Sequence, residues 1–485
     1  MWCRLAAVGV LSLIDRHANA LFLPGALHGG ADVTERKGIF NIGKEELPFS
    51  LMMAGYFFLV ITSFWVLKPI KKSEFISYYK EMGAFNLFGW QMLGSQAELI
   101  AKVLNMFAAA AAVAVFTLLC RKFARQQLTY IFSVFSILCL LVYFFLLSSP
   151  GGGTVWSFYL FGDLFNTLMV TTFFAFLNDS VKGDQAKRLY GLVGFGGVAG
   201  GAFGSIALDA LIKRVSTSTW MMILVGVILV IMALAFAASH RIPAANAREA
   251  SSPKPKEDGK KSSAAMEGAR LVFRSNYLLA IVAIVGFYEM VSTIMDFQFS
   301  SSVEHFVAAD AIGAHFSRVF AITNVSAMVV QLLFTSFVMT RFGVGIALMV
   351  LPVAALGGSA GFFLFPALWT GSFLNTADNA FSYSINQSAK EALYVPTTRE
   401  EKYKAKAFID MFVQRFAKSI AVGISLLLTT FFSSYSTIRW LSLVVAAILV
   451  AWIFAARYAG RKFDELNEKQ KQPTAPAAQP SPATI

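Results

Sequence analysis

The stretch RIPAANAREASSPKPKEDGKKSSAAMEGAR, residues 241–270, is rich in Pro, Ser, Ala and Lys and reads as a disordered linker. The chain on either side is of another kind. Apolar runs long enough to cross about 30 Å of hydrocarbon recur from Leu47 to Arg457. Before the linker they are Leu47–Leu67, Ala97–Cys120, Leu128–Leu147, Val155–Leu177, Leu189–Ile212 and Trp220–Ala238. After it they are Tyr277–Phe299, Phe316–Thr340, Val344–Phe365, Leu368–Ala389, Ala405–Phe432 and Ile438–Ala456. The linker therefore divides twelve expected spans six and six, which predicts an all-α polytopic membrane protein in two six-helix halves, of the major-facilitator kind.

Composition agrees. Of 485 residues 56% are hydrophobic and only 14% charged, with a mean hydropathy of +0.61, which does not describe a water-soluble surface. Twelve spans of roughly 22 residues consume about 260 residues, so no polar piece approaches the ~100 residues of an extramembrane domain, and a dedicated ATPase domain is excluded. The expected organisation is a cytoplasmic segment 1–46, a helical half 47–239, a cytoplasmic linker 240–276, a second half 277–457 and a cytoplasmic tail 458–485. The start, Met1 to Ala20, only faintly imitates a signal peptide, because Asp15, Arg16 and His17 interrupt the approach to Ala18-Asn19-Ala20. An overlong start is the other reading.

The net charge of +13 is a matter of loops rather than of nucleic-acid binding. With both ends cytoplasmic, the inner loops collect Arg121, Lys122 and Arg125, then Lys182, Lys187 and Arg188, then eight cations between Arg241 and Arg274, then Lys390, Arg399, Lys402, Lys404 and Lys406. The outer loops are nearly bare. Lys68, Lys71, Lys72 and Lys80 after the first span break that rule, which suggests another task for them. The cysteines Cys3, Cys120 and Cys139 form no CxxC and have no His at ligand spacing, so no metal, cofactor or enzymatic site is expected.

Two glycine motifs have structural readings. Gly194-Phe195-Gly196-Gly197-Val198-Ala199 matches a dinucleotide fingerprint in letter but lacks the strand and βαβ unit that give the motif its function. Gly196, Gly200 and Gly204 instead strip one helix face so that a neighbour can approach closely.

A charge in the bilayer costs on the order of 3 kcal/mol, so intramembrane ionisable residues should face a wet cavity or a partner. Glu98 and Lys102 have i,i+4 spacing and read as a pair near the outer end of the second span. Asp163 and Asn166 share a face of the fourth span, whose inner end carries Asp179. Glu289 and Asp296, seven apart in the seventh span, share a face and suggest coupling, gating or pairing with cavity cations. In the tenth span Asn375, Asp378, Asn379, Ser382 and Asn386 form a polar stripe expected to line the cavity. In the eleventh, Asp410, Arg415 and Lys418 are placed as buried, and the last two, three apart, either grip successive phosphates or carboxylates or pair with Asp296 or Asp378. Among many aromatic residues, Tyr56, Phe64, Phe158, Tyr288, Phe381 and Tyr383 are candidates to stack a base or simply to pack.

The run from Lys390 to Asp410, KEALYVPTTREEKYKAKAFID, continuing to Arg415, Phe416, Lys418 and Ser419, resembles the hallmark segment of the ATP/ADP antiporter family of plastids and obligate intracellular bacteria. Phe176-Leu177-Asn178-Asp179 and Leu189-Tyr190-Gly191-Leu192 are also similar to that family, and the likeness spans roughly residues 47 to 460. The resemblance implies exchange of ATP and ADP across a membrane. Its charged transport residues carry over to Lys71 (with Lys68), Asp179, Asp296 and Lys390. The family commonly has an Arg-Asp pair where Lys68-Pro69 stands, and Glu at the positions of Asp179 and Asp296. Substrate contact is accordingly expected from Lys68, Lys71, Lys390, Arg415, Lys418 and Asn379, with coupling or gating by Asp179, Glu289, Asp296 and Asp378. The expected setting is a monomer in a bilayer, the bacterial inner membrane, with ATP and ADP as partners and no nucleic acid. The alternatives are a proton-coupled importer of a nucleotide, a carrier of another organic anion, and a non-transporting scaffold.

Overall fold

A computed structural model of the protein describes residues 46–471, apart from 88, 121, 182, 242–260, 399, 400, 432 and 433. The expectations for Met1–Ala20, for most of the linker and for the last residues of the tail lie outside the described residues. The side chains of Lys187 and Arg188 lie outside them too.

The first helix, α1 (Leu47–Met82), has Pro48 in its first turn, where the missing N–H is not needed, and stops at Gly83, whose φ of 88° a side chain would resist. It is 36 residues long, well beyond the expected Leu47–Leu67. Lys68, Lys71 and Lys72 therefore sit inside a helix and not in the loop after it. A short hairpin follows, β1 (Phe85–Leu87) paired antiparallel with β2 (Trp90–Met92), a small exception to an otherwise helical chain. Then come α2 (Gly94–Leu119), α3 (Arg125–Leu146), α4 (Gly152–Ser180), α5 (Gly183–Leu211) and α6 (Thr217–Ser239), the last started by Ser216, whose hydroxyl accepts from the Thr219 N–H.

The linker is not irregular throughout: its last ten residues belong to α7 (Lys261–Arg274). This helix rests on the π turn Glu401–Ala405, with Lys404 paired to Glu267 at 2.9 Å. Only Gly fits at position 268, where a Cβ would stand 2.4 Å from the Lys404 carbonyl oxygen. The second half comprises α8 (Asn276–Phe306), α9 (Ile312–Val329), α10 (Thr335–Leu364), α11 (Leu368–Phe381), α12 (Gln387–Ala392), α13 (Lys406–Phe408), α14 (Gln414–Phe431) and α15 (Leu441–Lys471). The end of the bundle that carries α7 is called inner below, following the charge rule, and the opposite end outer. α15 carries the last expected span well into the expected tail.

Ten helices among the described residues are long and apolar enough to cross a membrane. Two of the twelve expected spans are hidden in that number. The run Ala309–Leu364 counts as one but is broken at Gly343, whose φ of 80° interrupts the helix between the eighth and ninth expected spans. The tenth, Leu368 to Ala392, is too polar and is interrupted by the π turn Ser382–Asn386. π turns also occur at Val330–Phe334 and Ile409–Val413, and such insertions are frequent where a helix serves a function.

The glycine stripe does what its spacing predicts. Cβ atoms at Gly196, Gly200 and Gly204 would lie 2.6, 2.3 and 2.7 Å from the carbonyl oxygens of Ala54, Phe58 and Thr62, so α5 is in backbone contact with α1. One apolar core gathers α1 and α3 to α6, joined by Phe299, Val303, Phe316 and Phe320 from α8 and α9; a second gathers α8, α10, α11, α14 and α15. The seam between the two runs along α9 against α1 and α5, and along α2 against α8 and α14. Large apolar side chains such as Phe107, Phe145 and Phe236 point outward, as a multi-pass membrane protein requires.

Candidate functional site

Lys68, Lys71 and Lys72 project from one side of α1, and Lys71 and Lys72 are each only 4% exposed. Each finds a different kind of partner. Lys71 pairs with Asp163 of α4, which also accepts from Asn105 of α2, and its ammonium lies 4.3 Å from the centre of the Tyr159 ring. Gly162 makes room for it, since a Cβ there would fall 2.5 Å from the Lys71 Cδ.

Lys72 reaches across the seam to Asp296 of α8 at 2.8 Å and lies 3.4 Å from Glu98. Lys102 of α2 does the same, 2.5 Å from Asp296 and 3.4 Å from Glu98. The Tyr159 hydroxyl donates to Glu98 (3.0 Å), and Asn375 of α11 donates to Asp296 (3.3 Å). Two lysines of the first half thus clamp one carboxylate of the second, and with Glu98 the group is electrically balanced. Balance matters because removing one member of a buried set leaves an uncompensated charge, at about 3–5 kcal/mol.

The remaining cations have weaker company. Lys68 has ring faces: its Nζ is 4.6 Å from the centre of Trp65, 4.9 Å from Phe320 of α9 and 5.8 Å from Phe64. Arg415 of α14 donates to the backbone carbonyl of Met106 across the seam at 2.9 Å. Lys418 is paired with Glu289 at 3.3 Å, and its side chain is half exposed, not buried as its position suggested. Neither Arg415 nor Lys418 is paired with Asp296 or Asp378. Asp378 accepts from Ser292 of α8 at 2.6 Å, and Asn379 donates back to the Asn375 carbonyl at 2.8 Å, so the stripe expected to line the cavity meets α8 at Asp378. Asp410, read as buried, is half-buried and takes a hydrogen bond from Gln414.

Asp179 and Lys390 lie elsewhere. Asp179 is 16 residues beyond Asp163 on α4, about 24 Å toward the inner end at 1.5 Å per residue. Lys390 lies a similar distance beyond Asn375, buried with its ammonium 5.3 Å from the Tyr288 ring. Of the aromatic candidates, Tyr56 and Phe158 are fully buried against Phe173 and Tyr143 and serve packing. Phe64 and Tyr383 border the cation cluster.

The outer end is shut. Lys80 of α1 donates to the carbonyls of Glu304 and Val307 (2.6 Å to the latter), and Glu304 accepts from the N–H groups of Gly94 and Ser95. A cavity of about 240 Å³ beside this contact, lined in part by His305 and Tyr435, lies away from the central cations and is smaller than the ~300 Å³ at which ligand pockets begin.

Sequence reasoning missed the crossing of the seam. Lys102 reads as Glu98's local partner, Lys72 and Lys80 are grouped with the other cations after the first span, and Glu304 draws no functional reading. The adjacent Lys71-Lys72 pair was the available signal: two neighbours 100° apart on one helix cannot share one partner.

Comparison with known proteins gives one family. The sequence model described as TLC ATP/ADP transporter matches residues 154–372 and 364–463. The chloroplastic ADP,ATP carrier protein 1 of Arabidopsis thaliana is 23% identical over 355 residues, covering 65% of this chain and 56% of the relative. ADP,ATP carrier protein 1 of Chlamydia trachomatis is 27% identical over 365 residues, covering 66% and 67%. The chain thus spans little more than half the length of the plastid relatives it matches. Among solved structures, the nucleoside transporter NupG aligns with a TM-score of 0.57 at 13% identity, covering 85% of this chain and 99% of the other. A bacterial homologue of the lysosomal transporter Spinster, in an inward-facing state, aligns at 0.52 and 14%, covering 85% and 98%. These structures place the fold among such transporters.

Proposed function

The chain belongs to the TLC ATP/ADP transporter family, and on that premise we propose that it exchanges ATP for ADP across a membrane by alternating access, as a monomer in a bacterial inner membrane. The observation that carries this reading is the clamp of Lys72 and Lys102 on Asp296 across the seam. A nucleoside triphosphate brings about four negative charges, and polyphosphate oxygens are the chemistry that competes with a carboxylate for lysines. Binding from the inner side, with the outer end held by Glu304 and Lys80, loosens the clamp and lets the two halves part on the outer side. Lys68 and Arg415, held by neutral rings and a carbonyl, turn to phosphate without stranding an acid. Lys418 and Asn379 line the approach, Lys71 joins the substrate when it leaves Asp163, and Asp179 and the buried Lys390 lie toward the inner end.

Exchange follows from the same charges. An empty carrier that reorients must carry the two cations that have neutral partners, Lys68 and Arg415, through a constriction, at several kcal/mol, unless a polyphosphate neutralises them. The alternative is a proton-coupled importer with Asp296 as acceptor. Both oxygens of that carboxylate already accept from a lysine, Oδ1 from Lys72 and Oδ2 from Lys102, which disfavours it. Proteoliposomes preloaded with ADP should take up labelled ATP rapidly and empty ones barely. Equal uptake in both, collapsing with the proton gradient, reverses the conclusion.

A further inference from the structure

We propose that Trp65 and Tyr383, flanked by Phe64 and Phe320, form the nucleobase subsite, and that Lys68 occupies it until a nucleotide arrives. This rests on the nucleotide-transport reading and extends it to the group that distinguishes a nucleotide from a bare polyphosphate.

Trp65 and Lys68 are three residues apart on α1 and share a face. The ammonium hangs over the angle between Trp65 and Phe320, whose ring centres are 5.9 Å apart and tilted by 60°. Tyr383, in the π turn of the tenth span, closes the far side of Trp65 edge-on at 6.1 Å. The box therefore takes rings from both halves, two from α1, one from α9 and one from the π turn, and it sits one helical turn below the Lys72–Asp296 clamp. Trp65 and Phe320 are 5% and 1% exposed, whereas Phe64, Lys68 and Tyr383 are half-buried, so the two ring faces are covered while Lys68 lies over them.

A ring face that holds a cation by its quadrupole also stacks a purine, and stacking accepts any base because every base has a π face. No carboxylate lies within ion-pair distance of Lys68 among the described residues. When a nucleotide enters, the lysine leaves the rings for a phosphate oxygen, and the base takes the surface it vacates. One side chain thus couples the two recognitions: the rings are uncovered only when phosphate is present to hold the ammonium.

The test compares ATP with inorganic tripolyphosphate by titration calorimetry on the purified full-length protein in nanodiscs. Trp65→Leu should weaken ATP about tenfold and leave tripolyphosphate within about twofold. Tyr383→Phe should keep ATP binding and Tyr383→Leu weaken it, while Lys68→Met should weaken both ligands. Equal losses for both ligands in Trp65→Leu, or none for ATP, overturn the subsite. Because Trp65 is buried, the wild-type protein is also photolabelled with an azidoadenine analogue of ATP, and adducts should map to residues 64–68 or to Tyr383. Adducts confined to other segments overturn the subsite and leave nucleotide transport standing. A wild-type protein that binds tripolyphosphate but no nucleotide more tightly removes both.

Discussion

The carboxylate of Glu304 accepts a hydrogen bond from the backbone N–H of Gly94 at 2.6 Å, and a second, from Ser95, at 2.8 Å. It caps the N-terminus of α2 from the other half of the protein, where four N–H groups have no partner within the helix. Lys80 returns the favour at the C-terminus of α8 through the carbonyls of Glu304 and Val307. A Cβ at position 94 would stand 3.0 Å from the Glu304 Oε1, so the glycine is what permits the approach. Hydrogen bonds to a charged group contribute about 1.5–3 kcal/mol each. Glu304→Ala should therefore shift the carrier outward-open, and a cysteine at Ser301 should react with a membrane-impermeant maleimide from outside at least tenfold faster. An unchanged labelling rate would remove the latch from the account.

Asp296→Asn should be the most damaging single change to the clamp, because Lys72 and Lys102 would be left to share Glu98. A cost of about 3–5 kcal/mol is expected, read as a lower unfolding temperature and lost exchange. Adding Lys102→Met to Asp296→Asn should recover much of the thermal stability, though not transport. If the double variant melts no higher than the single one, the pairing is not what holds the halves together.

Arg415→Ala should weaken ATP far more than adenosine, since on the proposed reading it deletes a cation that turns to phosphate, while the Met106 carbonyl keeps its helical partner. Arg415→Lys should also hurt, because a planar fork becomes a point charge. Lys418→Ala is expected to be milder in binding but to leave the buried Glu289 without its ammonium, so it should lower stability as well. Calorimetry with both ligands distinguishes these outcomes; parallel losses for ATP and adenosine would indicate a structural role for Arg415.

Asp179 and Lys390 end the inner stretches of α4 and the tenth span, one in each half, and are opposite charges available to meet when the proposed carrier closes on the inner side. Asp179→Lys and Lys390→Asp should each abolish exchange, and the charge swap combining them should restore a measurable fraction. No recovery in the combined variant would assign each residue to substrate contact alone.

Much of the molecule was legible without coordinates because a bilayer imposes a one-dimensional code. Apolar length sets the number of helices, the four-residue glycine period sets the α1–α5 contact, and intramembrane charge marks the cavity. The linker failed at its end because the Pro, Ser and Lys before it set the reading of the whole stretch, although Lys261–Arg274 carries an amphipathic helical pattern of its own. The tenth span was legible as Leu368–Ala389 even though its polar stripe keeps it less apolar than the others; its π turn was not. What only the tertiary structure decided was pairing. Lys102 reads as the partner of Glu98 because spacing reveals neighbours on one helix and nothing about a carboxylate 194 residues away. Lys68, Lys71 and Lys72 are alike as letters; the fold gives the first aromatic rings, the second an acid of the same half and the third an acid of the other half.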